Sequence, residues 1–234
     1  GARARARGPT HGRTDSERRT LTTPQSAPRC SRSVRAAPSL SRMSTRKRLT
    51  AIILSRTRDY GDVLERQRAL HAARKANAID DAIIICQHAP VITLGKRVAL
   101  ASSHVVSDAK TLAEANIAVV ATDRGGDATV HAPGQVVAYP VVALRASALG
   151  ARAYVEGLED VLVDVCASYG IEARGRIAGR EGVWVGDAKI AAVGVKISAG
   201  VSSHGVALNA SPDLGYFDHI VPCGLEGYGV TSVA

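Results

Sequence analysis

The sequence predicts an α+β domain in which a mixed or antiparallel sheet packs against helices. Three observations carry this prediction. Short apolar runs bounded by Gly, Pro and Asp recur along residues 49–210, as buried strands do. One longer stretch, residues 150–169, instead repeats apolar residues at helical spacing. The dipeptide Gly186-Asp187 joins two apolar runs over two residues, which favours a hairpin and therefore antiparallel pairing.

The apolar runs predict eight strands between residues 49 and 210, and aromatic residues are only 3% of the chain, so Val, Ile, Leu and Ala must form the core. The predicted strands are 49–54, 82–86, 91–94, 117–122, 136–139, 183–185, 188–197 and 203–210. The polar stretch between residues 123 and 135 is predicted to be a long loop whose two flanking strands are buried.

Capping residues and periodicity predict three helices. The first follows Asp59 or Asp62 and buries Val63, Leu64 and Leu70. The second runs over residues 108–116, with Ser107 as its N-cap. The third, residues 150–169, ends before Gly170. Its predicted buried stripe is Tyr154, Val155, Leu158, Val161, Leu162, Val165, Cys166 and Tyr169.

The net charge of +9 favours a nucleic-acid-binding protein until its distribution is considered. Residues 1–48 contain 13 Lys and Arg but two Asp and Glu, whereas residues 49–234 contain 17 and 19. The body is therefore not a basic surface. We expect residues 1–48 to be a disordered tail and residues 49–234 to be one folded domain. The tail's composition suits a mitochondrial or plastid transit peptide, and the alternative is a translated upstream region with the natural start at Met43.

The four cysteines, at positions 30, 86, 166 and 223, show neither zinc-site spacing nor the density of a disulfide framework, so a reducing compartment is the simplest interpretation. Cys86 and Cys166 lie within apolar patterns, which predicts packing roles. Cys223 instead lies between Pro222 and Gly224. No apolar run approaches the ~18 residues of a transmembrane helix, so no membrane span is expected.

The loop at residues 123–135 carries side chains suited to ligand binding. Arg124 can pair with a carboxylate or phosphate, Gly125 and Gly126 allow close backbone approach, and Thr129 and His131 offer hydrogen bonds. The alternative is an ordinary hairpin loop with a satisfied histidine. His88, beside a proline, is interpreted as a loop residue rather than a catalyst.

Three ordered segments resemble the lipoyl(octanoyl) transferase family: R-G-G-D-A-T-V-H-A-P-G-Q at 124–135, K-I-A-A-V-G at 189–194, and P-C-G at 222–224. The segments beginning at His88 and Ser203 resemble it too, and the resemblance covers residues 51–234. Val130 and Ala132 depart from the family pattern, which has an aromatic residue and a glycine there. The family continues beyond the position of Ala234, so a truncated C-terminus is one alternative.

The resemblance implies the fold of biotin and lipoate protein ligases, and a catalytic pair formed by Cys223 and Lys189. Octanoate would pass from an acyl carrier protein to Cys223 as a thioester, then to a lysine of a lipoyl domain, without ATP, cofactor or metal. Lys189 would lower the thiol pKa and later accept a proton. The implied acyl-substrate contacts are Arg124, Gly125, Gly126, Asp127, Ala128, Thr129, Val130, His131, Ala192, Val193, Gly194, Gly205, Val206 and Ala207.

The expected partners are octanoyl-acyl carrier protein, the lipoyl domains of 2-oxoacid dehydrogenase complexes and the glycine cleavage H protein, with no nucleic acid or membrane and a monomeric state. The expected compartment is the mitochondrion or plastid if residues 1–42 are a transit peptide, and the cytoplasm otherwise. Three alternatives stay open: an ATP-dependent lipoate or biotin ligase, a non-enzymatic nucleic-acid-associated protein, and an inactive homologue or fragment.

Overall fold

The computed structural model describes residues 48–97, 104–221 and 227–234. The predictions for residues 1–47, Pro222, Cys223 and Gly224 lie outside these ranges. The strands are β1 (Leu49–Ile53), β2 (Asp81–Cys86), β3 (Val91–Leu94), β4 (Ala118–Ala121), β5 (Ala128–His131), β6 (Gln135–Val141), β7 (Val183–Val185), β8 (Ala188–Ser198), β9 (Val201–Asn209) and β10 (Gly229–Val230). The helices are α1 (Tyr60–Lys75), α2 (Ala109–Glu114) and α3 (Ala151–Ser168), and Leu144–Ser147 and Leu214–His219 form 3-10 turns.

The strands form two mixed sheets. The larger sheet has the order β1-β2-β6-β9-β8-β10, and β7 also pairs with β8. Its central pairs, β2 with β6, β6 with β9 and β9 with β8, are antiparallel, whereas β1 and β10 run parallel to their neighbours. In the smaller sheet, β3 lies between a parallel β4 and an antiparallel β5. Mixed sheets packed with helices confirm the predicted α+β class.

Helix α1 begins where one of the two predicted caps places it. Asp59 is the N-cap, and its carboxylate accepts from the Gly61 N–H at 2.7 Å. Tyr60 and Val63 are buried against β2 and β6, and Leu64 and Leu70 pack at the edge of that cluster. The predicted inner face of α1 is therefore confirmed.

Helix α3 departs from its predicted stripe. Tyr154, Leu162 and Cys166 are buried, but Val161 is 60% exposed, and Val165 and Tyr169 are exposed as well. The helix therefore buries a narrower face than apolar periodicity alone predicts. No helix in the described ranges is long and apolar enough to span a membrane.

Glu159 takes a place on the buried face of α3 that periodicity would give to an apolar residue. Its two carboxylate oxygens accept the Gly182 N–H at 2.9 Å and the Arg176 N–H at 2.8 Å. These bonds compensate for burying the charged group. They tie α3 to the segment that leads into β7.

The predicted cap of the second helix was wrong by one residue. Asp108, not Ser107, is the N-cap of α2, and its carboxylate accepts the Thr111 N–H at 2.7 Å. The Ser107 hydroxyl instead pairs with Nδ1 of His219 at 2.8 Å. Ser107 therefore joins α2's entry to the 3-10 turn at Leu214–His219.

The predicted loop at residues 123–135 is only partly a loop, because residues 128–131 form the buried strand β5. Its residues pair with β3, with Val91 opposite His131 and Leu94 opposite Ala128. The flanking strand β4 was predicted to be buried, but it is mostly exposed because it forms the outer edge of the small sheet. The predicted hairpin at Gly186-Asp187 is confirmed by the pairing of Val185 with Ala188.

Candidate active site

A cavity lies between the two sheets. One wall comes from the 124–131 stretch, which includes β5, and the facing wall comes from β8 and β9. Tyr60 of α1 and Tyr139 of β6 complete it. The lining residues are Tyr60, Arg124, Gly126, Asp127, Thr129, His131, Tyr139, Glu181, Ala192, Val193, Gly194, His204, Gly205, Val206 and Ala207.

The structure brings most of the predicted acyl-substrate residues to this cavity, and within β5 strand alternation decides which of them reach it. On β5, Thr129 and His131 line the cavity, whereas Ala128 and Val130 point into the core of the small sheet. Gly125 does not line it. Its N–H donates to the Val195 carbonyl at 2.9 Å, which joins the loop to β8.

Arg124 is buried, and its guanidinium group donates hydrogen bonds to neighbouring groups of the chain. Its Nη2 donates to the Thr93 carbonyl at 2.6 Å, and its Nη1 donates to the Gly125 carbonyl at 2.9 Å. Its Nε also donates to the Thr93 hydroxyl at 3.3 Å. We therefore interpret Arg124 as the residue that fixes the loop on β3, rather than as an open fork for a ligand anion.

Lys189 lines a second, smaller cavity. It is 5% exposed, and its Nζ is 4.8 Å from the centroid of the Trp184 ring, a cation–π arrangement. Thr129 and Ala192 line both cavities. The buried Lys189 side chain therefore lies beside the larger cavity, at the part of it that Thr129 and Ala192 line.

The two cysteines within the described ranges are unsuited to nucleophilic chemistry. Cys86 and Cys166 are both buried in apolar clusters, and burial raises the pKa of the Cys86 thiol to about 12 and raises that of Cys166. Both predicted packing roles are confirmed. Cys223 lies outside the described residues. On either side of it, Val221 donates to the His104 carbonyl at 2.7 Å, and Val230 pairs with Lys189.

A chain of hydrogen bonds fixes the tautomer of His131. Gln135 donates its amide N–H to the Asn209 side-chain oxygen at 2.9 Å, so its own oxygen faces Nδ1 of His131 at 3.1 Å and must accept from it. Asn209 in turn donates to the Thr231 carbonyl at 2.9 Å. His131 therefore carries its proton on Nδ1 and keeps Nε2 as an acceptor on the cavity wall. In the sequence, Gln135 and Asn209 occur within the family-like segments, where no local pattern indicates this role.

His88 lies in the connection between β2 and β3, as the loop prediction has it, but it is a buried member of an aromatic cluster beside the cavity. It is 0% exposed, and its ring centroid lies 5.2 Å from that of Tyr60 and 5.6 Å from that of His131. Nδ1 donates to the Arg58 carbonyl at 3.3 Å, so Nε2 accepts from the Tyr139 hydroxyl at 2.9 Å. The alternation of β2 ends at Cys86, and no local signal indicates that the chain beyond it turns inward.

The buried histidines predict that acid destabilises the fold. Burial lowers the pKa of His88 to about 4 and, with help from nearby positive charge, that of His131 to about 3, against about 6.5 in an unfolded chain. Below pH 6.5 the unfolded chain therefore binds protons that the folded chain does not. We expect the urea midpoint of unfolding to fall steadily from pH 6.5 towards pH 4. His131→Gln should flatten this slope, and an unchanged slope would contradict the assignment.

A second polar network, which sequence reasoning missed, surrounds His204. Its Nε2 donates to Asp123 Oδ1 at 2.7 Å, and Lys196 pairs with the other oxygen of Asp123. Burial acts to raise the pKa of Asp123, but the bonds from Lys196 and His204 outweigh it and hold that pKa well below its usual range. The residues are 81 positions apart, so no short motif reports the pairing.

No cluster of three or more His, Cys, Asp or Glu side chains with metal-binding geometry occurs in residues 48–97, 104–221 and 227–234. The polar groups at the cavity are instead bonded in pairs and chains. The cavity walls present a ligand with an apolar channel of small residues, the imidazole acceptor of His131 and, next to the cavity, the ammonium group of Lys189. This combination suits an aliphatic chain whose reactive end lies near Lys189.

Comparison with known proteins agrees with this geometry. Residues 59–234 match the lipoyl protein ligase A/B catalytic domain. The mitochondrial octanoyltransferase of Arabidopsis thaliana is 44% identical over 177 residues, which cover 76% of this chain and 74% of that protein. The octanoyltransferase of Chloroflexus aurantiacus is 48% identical over 171 residues, or 72% of this chain and 75% of that protein.

A solved structure supports the fold. A bipartite lipoate protein ligase from Thermoplasma acidophilum is similar with a TM-score of 0.55, at 14% identity over 80% of this chain and 75% of that one. This likeness confirms the predicted ligase-type fold and carries no statement about chemistry. The chemistry follows from the family match and the sequence identities, which show that the chain belongs to the lipoyl(octanoyl) transferase family and is an acyltransferase.

Proposed function

We propose that the chain transfers an octanoyl group from octanoyl-acyl carrier protein to a lysine of lipoyl domains, with Cys223 as the intermediate carrier. The observation that carries this proposal is the placement of the buried Lys189 at one end of a largely apolar cavity. Octanoyl transfer follows from the family and its relatives. The donor, the acceptor and the thioester are our inference from the motif around Cys223 and the chemistry of thiols.

In the first step the Cys223 thiolate attacks the thioester carbonyl of the donor. A new carbon–sulfur bond forms, and the bond to the donor's thiol breaks. The positive charge of Lys189 favours the thiolate form of Cys223, because a cation beside a thiol lowers its pKa. Lys189 then gives a proton to the departing donor thiolate, which leaves as a free thiol and leaves Lys189 neutral.

In the second step the amine of the acceptor lysine attacks the acyl-Cys223 carbonyl. The neutral Lys189 accepts the proton that the amine loses, the amide forms, and Cys223 leaves as a thiolate beside the restored ammonium group. Protons and charges balance over the two steps. No ATP is needed, because the acyl group enters as a thioester.

We infer both protein partners from the resemblance to the family. The acyl donor is octanoyl-acyl carrier protein, and the acceptors are the lipoyl domains of 2-oxoacid dehydrogenase complexes and the glycine cleavage H protein. The Thermoplasma acidophilum ligase was solved as part of a system with its E2 lipoyl domain, which is the same class of acceptor.

One assay separates this transferase from an ATP-dependent ligase. The chain is given either octanoyl-acyl carrier protein without ATP, or free octanoate with ATP and Mg²⁺, and the mass of a lipoyl domain is followed in each. We expect a gain of one octanoyl group in the first mixture only. A gain only in the second would identify a ligase, and no gain in either would identify an inactive homologue.

We also propose that residues 1–42 direct the chain to an organelle and take no part in the chemistry. Their basic, acid-poor composition and the mitochondrial Arabidopsis relative support this proposal. A chain beginning at Met43 is therefore expected to match the full chain in transfer rate under single-turnover conditions. A large loss of rate in a folded, shortened chain would show that the tail belongs to the site.

A further inference from the structure

The larger cavity extends along β8 and β9, and the register of these two strands gives its length. Ala192, shared with the Lys189 cavity, pairs with Ala207, and three residues further along β8, Val195 pairs with His204. At ~3.4 Å per residue, the step from Ala192 to Val195 covers about 10 Å. The cavity therefore extends roughly that far from the Lys189 side to His204.

The lining residues differ in exposure. Tyr60, Tyr139 and His204 are all buried where they line the cavity. Asp123, which accepts the Nε2–H of His204, is 43% exposed, so the imidazole stands between the cavity and the surface. Elsewhere in the lining, the Glu181 side chain is 55% exposed and pairs with the exposed Arg97. The cavity is therefore closed at His204 by the imidazole itself, and its exposed part lies beside Glu181.

His204 is held at this closed end in a costly conformation. Its φ is +55°, a left-handed conformation that few residues other than glycine adopt without strain. The Gln67 side chain accepts its backbone N–H, and Asp123 accepts its Nε2–H. Its Nδ1 is buried and has no hydrogen-bond partner within the described ranges. Strain and an unmet acceptor on an over-constrained side chain are typical of functional positions.

We propose that His204 closes the acyl cavity and sets the length of the acyl chain at about eight carbons. This inference rests on the proposed function. The seven carbon–carbon bonds of an octanoyl group, at ~1.5 Å each, reach at most about 10 Å. A carbonyl placed beside Thr129 and Ala192, near Lys189, therefore puts the terminal methyl group against the imidazole. A longer chain has to displace His204 or leave its carbonyl out of place.

Two substitutions test this inference without imposing new backbone strain. His204→Gly removes the imidazole, and His204→Asn shortens the side chain, and both residue types tolerate positive φ. The matched control is Ala199→Gly, which relieves a positive φ of +51° in the turn between β8 and β9, away from the cavity lining. Each protein is incubated with an equimolar mixture of octanoyl, decanoyl and dodecanoyl thioesters, and the acyl-enzymes formed are quantified by mass.

The wild type and Ala199→Gly are expected to favour octanoyl strongly, because each methylene without space costs on the order of tenfold in rate. His204→Gly should raise the decanoyl-to-octanoyl ratio by about tenfold or more, and His204→Asn should raise it less. An unchanged ratio in both folded variants would overturn the role of His204. A wild type that accepts no octanoyl would instead contradict the proposed function, so the two failures are distinguishable.

Discussion

Replacing Cys223 with serine is expected to lower octanoyl transfer by a factor of about 10³ or more, with no acyl-enzyme formed. A hydroxyl is far less ionised than a thiol near neutral pH, so the first step loses its nucleophile. The measurement is single-turnover transfer from octanoyl-acyl carrier protein to a lipoyl domain. The expected loss of rate is large because Cys223 acts in both steps, as the nucleophile in the first and the leaving group in the second.

The control for this variant is Cys166→Ala. Cys166 is buried on the inner face of α3, outside both cavities, so its loss should lower stability without removing transfer. If Cys223→Ser kept transfer while Cys166→Ala or Cys86→Ala abolished it in folded protein, the nucleophile would have been assigned to the wrong cysteine.

Substitution of Lys189 is expected to separate the two steps. Lys189→Arg keeps a positive charge beside the thiol, so acylation should persist, with the departing donor thiolate taking its proton from water instead. Arginine stays protonated at ordinary pH, however, and cannot act as a base. The variant should therefore accumulate acyl-enzyme and transfer it on the order of 10²–10⁴ times more slowly. Lys189→Ala removes the charge as well and should be slow in both steps. Acylation and transfer are timed separately by rapid quench and mass analysis.

Lys110→Arg provides the matched control, because Lys110 is exposed on α2 and pairs only with Glu114 among the described residues. It should behave as the wild type in both steps. Wild-type transfer by Lys189→Arg would leave Lys189 an electrostatic role only. The proton of the attacking amine would then need another acceptor, and the unprotonated Nε2 of His131 on the cavity wall would be the first to consider.

Local sequence patterns predicted most of the strands, because a buried strand is recorded in consecutive residues. They failed at β5, where Thr129 and His131 alternate with Ala128 and Val130. The polar residues of β5 are buried, but they line a cavity rather than an apolar core. Such a strand is predicted to be a loop, because its polar residues can be recognised as buried only when the facing strands are known.

The motifs likewise predicted residues that line the site but not the hydrogen-bonded side chains that hold those residues in place. Lys189 and most of the expected acyl contacts do meet at the two cavities. His204 with Asp123, and His131 with Gln135 and Asn209, were missed because their pairing depends on strand register across the sheets. In the sequence these histidines stand as isolated residues. In the structure their buried imidazoles are held by hydrogen bonds and form polar groups around an apolar cavity.

The most direct test of the central claim is the mass of the chain itself during one turnover. After mixing with octanoyl-acyl carrier protein without ATP, the intact chain should gain one octanoyl group, and peptide mapping should place it on Cys223 as a thioester that hydroxylamine removes. Adding a lipoyl domain should then transfer that mass to a lysine of the domain. An adduct on another residue, or transfer to the domain without any acyl-enzyme, would contradict a Cys223 thioester pathway.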